Sequence, residues 1–283
     1  MKVLICGHKS FAASGLHGVL GAEGHEVSCF SRGRMERAEH EITGDVFKMD
    51  ENPYLRDNYD VVINFIIIKN EGVQPNLDYM QSLLRFCEKT GVKRLVQISS
   101  ISVYANEASD VDERSPIETC LEKKGRYAQI KIAVDQLLAK AKIQVSFVRP
   151  GFIVSDGCPI PSAGILQRLP LGVGLLLGGI QTPLPLLNRG VFHRALARLV
   201  REKEMPDVCL MFANRGDTKR SLARQMFGGP IIVLPAWLIR LSAVLAHKCR
   251  LLSFSQYHQI IGLYKTTHFN SAQTETQLGV KFE

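Results

Sequence analysis

The stretch QISSISVY (97–104) and the segment YAQIK (127–131), which begins 23 residues after Tyr104, decide the fold of this chain. Tyr127 and Lys131 are four residues apart, so they lie on the same face of a helix. A lysine ammonium placed there lowers the pKa of the phenol from its usual value of about 10. Such a phenol can exchange a proton with a carbinol oxygen while a nearby serine hydroxyl holds that oxygen.

The bare Tyr-x-x-x-Lys pattern is more often a chance pair on a solvated helix. In this sequence the apolar run Leu95–Ile98 ends in a serine cluster at the appropriate distance upstream. Ligands of open α/β sheets bind at the carboxyl ends of the strands. The serine cluster, Tyr127 and Lys131 are therefore predicted to meet at one edge of a sheet.

This combination resembles the extended branch of the short-chain dehydrogenase/reductase superfamily, which contains sugar-nucleotide epimerases, dehydratases and reductases. The resemblance runs from Met1 to about Asn214. It implies a doubly wound parallel sheet of the Rossmann type, with about seven strands and a smaller C-terminal substrate lobe. Residues 1–155 and 186–214 would form the dinucleotide-binding domain, and residues 156–185 and 215–283 the lobe.

The resemblance also implies catalytic roles. Tyr127 would be the general acid and base, and Lys131, together with the positive nicotinamide ring, would lower its pKa and hold the nicotinamide ribose. Ser100 would hold the reacting oxygen, with Ser99 as the alternative. Hydride would move between the cofactor and a carbon of a nucleotide-linked sugar or a similar substrate, which the cofactor makes feasible. The sequence does not decide between epimerisation and reduction.

The first turn departs from the family pattern. Family members carry three glycines at the positions held here by Gly7, Ser10 and Ala13, so only the first glycine remains. The backbone therefore has less freedom to approach a pyrophosphate, although the helix N-terminus still offers amide donors. By resemblance this turn binds the cofactor through Gly7, Ser10, Phe11 and Ala12.

The end of the second strand indicates which dinucleotide binds. An acidic residue there would bind the ribose hydroxyls of NAD, but the sequence reads Ser31-Arg32-Gly33-Arg34. Guanidinium groups bind phosphate through two hydrogen bonds. Ser31, Arg32 and Arg34 therefore favour NADP(H) over NAD(H), and the alternative is a solvated loop that is basic by accident.

Further cofactor contacts follow from the resemblance. Asp45 and Val46 would contact the adenine. The continuous apolar run Asp60–Ile68 is typical of a doubly covered parallel strand. Its end carries bulky isoleucines at 66–68 where the family has small residues, which favours the alternative of a non-catalytic dinucleotide sensor or scaffold. The remaining predicted cofactor-binding residues are Phe65, Ile66, Lys69, Ser99, Tyr127, Lys131 and Pro150.

Composition restricts the partners. The formal net charge is +8, but the basic residues form no run of five and show no aromatic interleaving, so no nucleic acid is expected. The phosphates of a dinucleotide and of a nucleotide sugar explain the sign, as does a solvated basic surface. Seven scattered cysteines without a Cys-x-x-Cys pair predict no metal site and indicate reduced thiols. Because the first strand follows Met1-Lys2 without a signal peptide, a cytoplasmic protein is expected.

The C-terminal third carries two apolar segments. Leu169–Ile180 is too short and too broken by Gly and Pro to span a membrane. The segment from Pro235 to Arg240 opens an apolar helix that ends in a basic turn. Packing within the lobe is favoured over binding to a membrane surface. A homodimer, common in the family, would form through helices that include the Tyr127 helix.

Overall fold

The computed structural model describes residues 1–55, 58–69, 71–155, 166–176, 183–213, 216, 218–262 and 267–282. The strands are β1 (Lys2–Cys6), β2 (Glu26–Arg32), β3 (Glu36–Ala38), β4 (Glu41–Gly44), β5 (Val61–Asn64), β6 (Arg94–Ile98), β7 (Asp110–Val111), β8 (Gln144–Pro150), β9 (Phe152–Val154), β10 (Leu166–Leu169), β11 (Val173–Leu176), β12 (Leu186–Asn188), β13 (Val208–Met211), β14 (Ile231–Val233) and β15 (His268–Phe269). The helices are α1 (Leu16–Ala22), α2 (Val73–Thr90), α3 (Arg126–Leu138), α4 (Arg189–Arg201), α5 (Lys219–Met226), α6 (Ala236–Lys248), α7 (Phe254–Gly262) and α8 (Ala272–Leu278).

The main sheet has the order β13-β8-β6-β5-β1-β2-β4-β3. Seven of its strands are parallel, and β3 adds an antiparallel edge to β4. The chain winds outward from β1 in both directions, so the strand order reverses there and leaves a crevice beyond the carboxyl ends of the strands. The predicted Rossmann sheet is confirmed, with eight strands instead of about seven.

Alternating residues of each strand supply the two cores. Val3 and Ile5 of β1 pack with α1, α4 and α8 on one face of the sheet. Leu4 and Cys6 pack with α2 and α3 on the other face. Side chains of a strand point to opposite faces in turn, so a strand covered on both sides reads as a continuous apolar run.

The strand expected over 60–68 is shorter in the structure, where β5 ends at Asn64. The buried Asn64 side chain accepts hydrogen bonds from the backbone N–H of Ile66 at 3.1 Å and from the Tyr79 hydroxyl at 2.6 Å. Asn76 then holds Ile68 through both of its backbone polar groups. These asparagines turn residues 65–69 out of the sheet and across the mouth of the crevice.

The C-terminal part forms a small sheet in the order β10-β11-β14, with α5 against it and the α6–α7 pair beyond. The boundaries of the predicted lobe stay a prediction, since residues 156–165, 177–182, 214–215 and 217 lie outside the described part. None of the helices that the structure describes is long and apolar enough to cross a bilayer.

The prediction that the apolar side of the Pro235–Arg240 helix packs within the lobe is wrong. Ala243 is the single buried residue of α6. Trp237 is 67% exposed and Leu245 54% exposed. The physical reason is that α6 contacts mainly α7, so one neighbour covers only one side of it.

Candidate active site

Two cavities lie side by side at the carboxyl edge of the main sheet. One, of about 690 Å³, is lined by residues that follow β1, β5, β6 and β8 and by residues of α3. The other, of about 440 Å³, lies over the ends of β1 and β2. Both are lined by Ser10, Phe65, Ile67 and Lys69, so together they form one elongated cleft. Its position at the reversal of strand order suits a dinucleotide.

The turn after β1 fits a pyrophosphate. Gly7 has φ +84°, a conformation that glycine adopts freely, and a Cβ there would lie 2.9 Å from Cγ1 of Ile66. The buried hydroxyl of Ser10 has no hydrogen-bond partner within the described part of the chain. Because an unpaired buried hydroxyl is costly, a bound phosphate would supply the acceptor that Ser10 lacks.

The two serines that directly follow β6 have different environments. Ser100 is partly exposed and lines the 690 Å³ cavity, and its Oγ accepts a hydrogen bond from the backbone N–H of Ser102 at 3.1 Å. The Ser100 hydroxyl also shares a hydrogen bond with Tyr127, so the two catalytic candidates lie within reach of each other. Ser99 is buried, and its Oγ donates to Asp135 at 2.8 Å. This difference favours Ser100 as the serine that meets the substrate.

Helix α3 brings Tyr127 and Lys131 to the same cavity. Burial lowers the pKa of Lys131 to about 8, and its Nζ donates to the carbonyl of Ile98 at 2.6 Å. The ammonium lies 5.9 Å from the centre of the Tyr127 ring. The pair therefore has the predicted helical arrangement, with the lysine held at the end of β6.

The protein without a bound cofactor does not lower the pKa of the Tyr127 phenol. The residue as a whole is 47% exposed, but the surrounding protein desolvates the phenol and raises its pKa, which a hydrogen bond with Ser100 partly opposes. The lowered pKa of Tyr127 that the sequence predicts requires the positive nicotinamide ring as well as Lys131. The raised pKa indicates that burial outweighs the hydrogen bond from Ser100.

A buried ion pair, which the sequence analysis missed, supports the floor of the site. Asp135 lies two turns after Tyr127, and its Oδ2 accepts from Arg149 at 3.2 Å as well as from Ser99. Arg149 also donates to the Tyr104 hydroxyl at 2.8 Å. The only signals were the eight-residue spacing from Tyr127 to Asp135 and an arginine inside an apolar strand. This network fixes α3 against β6 and β8.

Lys124 is a second group that sequence reasoning missed. Burial lowers its pKa to about 8, and its Nζ donates to Asn106 at 2.6 Å and to the carbonyl of Tyr104. It lines the 690 Å³ cavity just before α3. Since its donors already meet two oxygens, Lys124 ties the segment before α3 to the loop after β6.

The outer end of the cleft has mixed charge. Ser31, Arg32 and Val46 line the 440 Å³ cavity, as predicted, together with Lys9. Glu41, which sequence reasoning missed, forms an ion pair with Lys9 and accepts a 3.4 Å hydrogen bond from Ser31. The contact with Lys9 lowers the pKa of Glu41. A carboxylate therefore stands beside the serine that was expected to meet a 2′-phosphate.

Two predicted cofactor residues do not line either cavity. Arg34 is exposed, and its backbone carbonyl accepts from the Thr43 hydroxyl. The Asp45 carboxylate accepts from the backbone N–H of Phe47 at 2.9 Å and so caps the short helical turn at residues 46–51. The other predicted contacts, namely Gly7, Ser10, Phe11, Ala12, Phe65, Ile66, Lys69, Ser99 and Pro150, do line the cleft.

The isoleucines at 66–68 are accommodated at the wall of the cleft. Ile66 packs against Gly7, where the missing Cβ leaves room, and Ile68 is almost fully buried in the α2 side of the core. Lys69 faces both cavities, and its charge contributes to the lowered pKa of Lys131. In the described part of the chain no group of His, Cys, Asp and Glu could hold a metal ion, and six cysteines are free thiols.

The Rossmann sheet and the serine, tyrosine and lysine at one wall of the cleft agree with the resemblance to the extended short-chain dehydrogenase/reductase enzymes. Residues 3–158 match the model of the NAD dependent epimerase/dehydratase family. The match covers more than half of the chain, and the chain belongs to that family. It is accordingly an enzyme of the epimerase and dehydratase type. No curated protein matches the sequence.

Solved structures with the same fold cover nearly the whole chain. UDP-glucuronic acid 4-epimerase from Bacillus cereus, in complex with UDP-glucuronic acid and NAD, has a TM-score of 0.70 at 15% identity, covering 100% of this chain and 94% of its own. WbmG from Bordetella bronchiseptica, in complex with NAD and UDP, has a TM-score of 0.69 at 15% identity, covering 99% and 88%. The human epimerase family protein SDR39U1, with NADPH, has a TM-score of 0.63 at 18% identity, covering 100% and 95%.

Proposed function

We propose that this enzyme uses NADP(H), in preference to NAD(H), to oxidise or reduce a carbinol or carbonyl of a nucleotide-linked sugar, with epimerisation when the hydride returns to the other face. The observation that carries the proposal is that Ser100, Tyr127 and Lys131 line the same 690 Å³ cavity, which joins a second cavity suited to an adenosine. Solved structures of the same fold that hold UDP or UDP-glucuronic acid support the nucleotide-sugar class of substrate.

Each side chain has a role that its surroundings support. Tyr127 transfers the proton of the substrate hydroxyl, and Ser100 donates a hydrogen bond to the same oxygen. Lys131 holds the ribose hydroxyls and adds positive charge near the phenol. When bound, the nicotinamide ring supplies and takes up the hydride.

The dinucleotide would be held by the turn after β1 and by the loop after β2. Ser10 and the backbone at Gly7 meet the pyrophosphate, and Arg32 meets the 2′-phosphate. Lys9 neutralises Glu41, so the carboxylate repels a 2′-phosphate less than a lone acid would. This arrangement supports NADP(H) while leaving NAD(H) as the alternative.

The test is Tyr127→Phe, which removes the hydroxyl and keeps the ring. Turnover should fall by about 10²- to 10⁴-fold, the usual contribution of a general acid or base, while NADPH affinity stays nearly unchanged. Nucleotide sugars are screened by nicotinamide absorbance and, for epimerisation, by NMR of the sugar product. Tyr54→Phe, at an exposed tyrosine outside the cleft, is the matched control. Turnover retained by Tyr127→Phe would exclude the assigned role.

A non-catalytic dinucleotide sensor of the same fold is the second candidate. The loss of two of the three glycines in the first turn and the isoleucines at 66–68 favour it. A sensor binds the dinucleotide but turns over no nucleotide sugar, with or without Tyr127. A homodimer through helices that include α3, and a cytoplasmic location, stay predictions of the family resemblance.

A further inference from the structure

Helix α6 presents an apolar face that no other described part of the protein covers. Trp237, Leu241 and Leu245 are 67%, 51% and 54% exposed, and Leu238 is 42% exposed. At 3.6 residues per turn these four side chains fall within an arc of about 100°. Leu251, just beyond the helix, is 78% exposed. We call these five residues the α6 face.

The opposite side of α6 is held by α7. The ring of His247 stacks on that of Tyr257 with 4.8 Å between centroids, and Ala243 is buried. The α6 face therefore points away from α7, the helix that α6 mainly contacts. Monomeric soluble proteins rarely leave such a row of large apolar side chains in water, so the row indicates a binding surface.

The segment of the chain that carries this face contains basic residues and no acidic ones. The 57 residues from Thr218 to Thr274 contain seven Lys or Arg and no Asp or Glu, so they carry most of the net charge of the chain. Arg240, Lys248 and Arg250 are exposed on or next to α6, and no carboxylate pairs with them among the described residues. A protein partner or a second copy of this chain would bring mixed charges, whereas an anionic bilayer brings a continuous negative surface.

We propose that α6 lies on the surface of an anionic phospholipid bilayer, with the α6 face in the headgroup and acyl boundary and the three basic side chains on the lipid phosphates. Leucine and tryptophan on one side of a helix, next to Lys and Arg, are the composition of interfacial helices. Each basic residue near an anionic surface strengthens binding.

The surface lies one helix away from the cleft. Helix α7 packs against α6, and its last residue, Gly262, lines the 690 Å³ cavity. The hydroxyl of Ser255 on α7 also donates to the carbonyl of Lys124 at 3.3 Å. Docking of α6 therefore brings the opening of the candidate active site close to the bilayer.

The experiment uses the full chain and sucrose-loaded vesicles of phosphatidylcholine alone or with phosphatidylserine. We expect the protein to sediment with the anionic vesicles at least about tenfold more strongly than with the neutral ones. Trp237 is the only tryptophan, so its emission reports insertion directly. It should shift to the blue with anionic vesicles and be quenched by brominated acyl chains.

The variants separate the apolar and electrostatic parts. The triple variant Trp237→Ser, Leu241→Ser, Leu245→Ser should lose vesicle binding. Arg250 has φ +60°, which glycine favours, so Arg250→Gly removes a charge without straining the turn. It should weaken binding to anionic vesicles about fivefold and leave binding to neutral vesicles unchanged.

The matched controls are Met35→Ser, at a 52% exposed methionine far along the chain, and Lys140→Ser, at an exposed lysine after α3. Both should bind vesicles as the parent does. Equal sedimentation with neutral and anionic vesicles, or no blue shift of Trp237, would overturn the proposal. It would also be overturned by a dimer in lipid-free solution that the triple variant dissociates, since the α6 face would then bind a second copy of the chain.

Discussion

Ser99 and Ser100 are adjacent in the sequence and differ in what their hydroxyls can do. Ser99 is fixed beneath the site by its bond to Asp135, whereas Ser100 lines the cavity and shares a hydrogen bond with Tyr127. The difference arises because β6 ends at Ile98 and the chain then enters a short helical turn at residues 101–103. Ser100 is therefore the better placed of the two serines to meet a substrate oxygen.

We predict opposite effects for the two alanine variants. Ser100→Ala should lower turnover about 100-fold, the usual effect of losing one donor to a reacting oxygen, with the free energy of unfolding nearly unchanged. Ser99→Ala leaves a buried carboxylate with one donor fewer, so it should lower the free energy of unfolding by about 1–3 kcal/mol and spare turnover. Urea denaturation and steady-state kinetics on both variants measure this. A large loss of turnover in Ser99→Ala alone would transfer the catalytic role to Ser99.

At the other end of the cleft, substitutions of Arg32 and Glu41 should change NADPH binding in opposite directions. Arg32→Asp should weaken NADPH binding about 10- to 100-fold, because a charge-assisted pair with a phosphate is lost, and should spare NADH. Glu41→Gln should strengthen NADPH binding a few-fold by removing a like charge. Fluorescence titration with both dinucleotides provides the comparison. If Glu41→Gln instead abolishes NADH binding while Arg32→Asp changes nothing, the carboxylate selects the cofactor.

At the scale of elements, the turn between β1 and α1 depends on one close approach. The loop after β5 crosses over Gly7, so a side chain at position 7 would meet both the backbone and the side chain of Ile66. The two asparagines that hold residues 65–69 prevent this loop from moving aside. The bulk of the isoleucines and the remaining glycine are thus parts of one packing arrangement.

Substitution of two glycines by alanine, one in this turn and one in α1, should change the free energy of unfolding in opposite directions. Gly7→Ala forces a positive φ on alanine and a contact of 2.9 Å, and should cost about 1–3 kcal/mol of unfolding free energy and weaken dinucleotide binding. Gly18→Ala in α1 meets no atom within 4 Å and should stabilise the protein by about 0.5–1 kcal/mol. Thermal unfolding and NADPH titration of the two variants test the assignment. Equal stability of the two would contradict it.

At the scale of the whole molecule, buried ionisable groups make stability depend on pH in the alkaline range. Burial raises the pKa of Cys29 to about 11 and those of Cys87 and Cys209 to about 12, and it also raises the pKa of Cys6. The unfolded chain loses these protons near pH 9 while the folded chain keeps them. Since the folded state then binds more protons, its stability falls as the pH rises above about 9.

The two buried lysines have the opposite effect on stability as the pH rises. Lys124 and Lys131, with pKa values of about 8, release protons that the unfolded chain keeps up to its ordinary pKa of 10.5, so they add stability between about pH 8 and 10.5. The thiols outnumber them, and the raised pKa of Tyr79 adds to the thiols' effect. We therefore expect the free energy of unfolding to reach a maximum near pH 9 and to decline above it.

The measurement is the free energy of unfolding in urea from pH 7 to 11 with a reductant. Each thiol contributes a slope of at most about 1.4 kcal/mol per pH unit. The double variant Cys87→Ala, Cys209→Ala should therefore decline less steeply above pH 9, whatever its stability at pH 7. An unchanged slope in that variant would show that other groups control the alkaline transition.

The sequence by itself determined the fold class and the catalytic candidates. The apolar runs of β1 and β6, the four-residue spacing of Tyr127 and Lys131, and the serine cluster are patterns within single segments. Their geometry follows from the period of a strand or a helix. That period places the serines at the end of a strand and the tyrosine above the lysine before any tertiary contact is known.

Only the tertiary structure decided which side chains meet across segments. Ser99 and Asp135 are 36 residues apart, and Lys9 and Glu41 come from β-strand ends that meet only in the assembled sheet. The exposure of Trp237 likewise depends on what packs against α6, which its own apolar composition cannot reveal. Hydrophobicity specifies that a side chain prefers burial, but the arrangement of the other elements decides whether a neighbour is there to bury it.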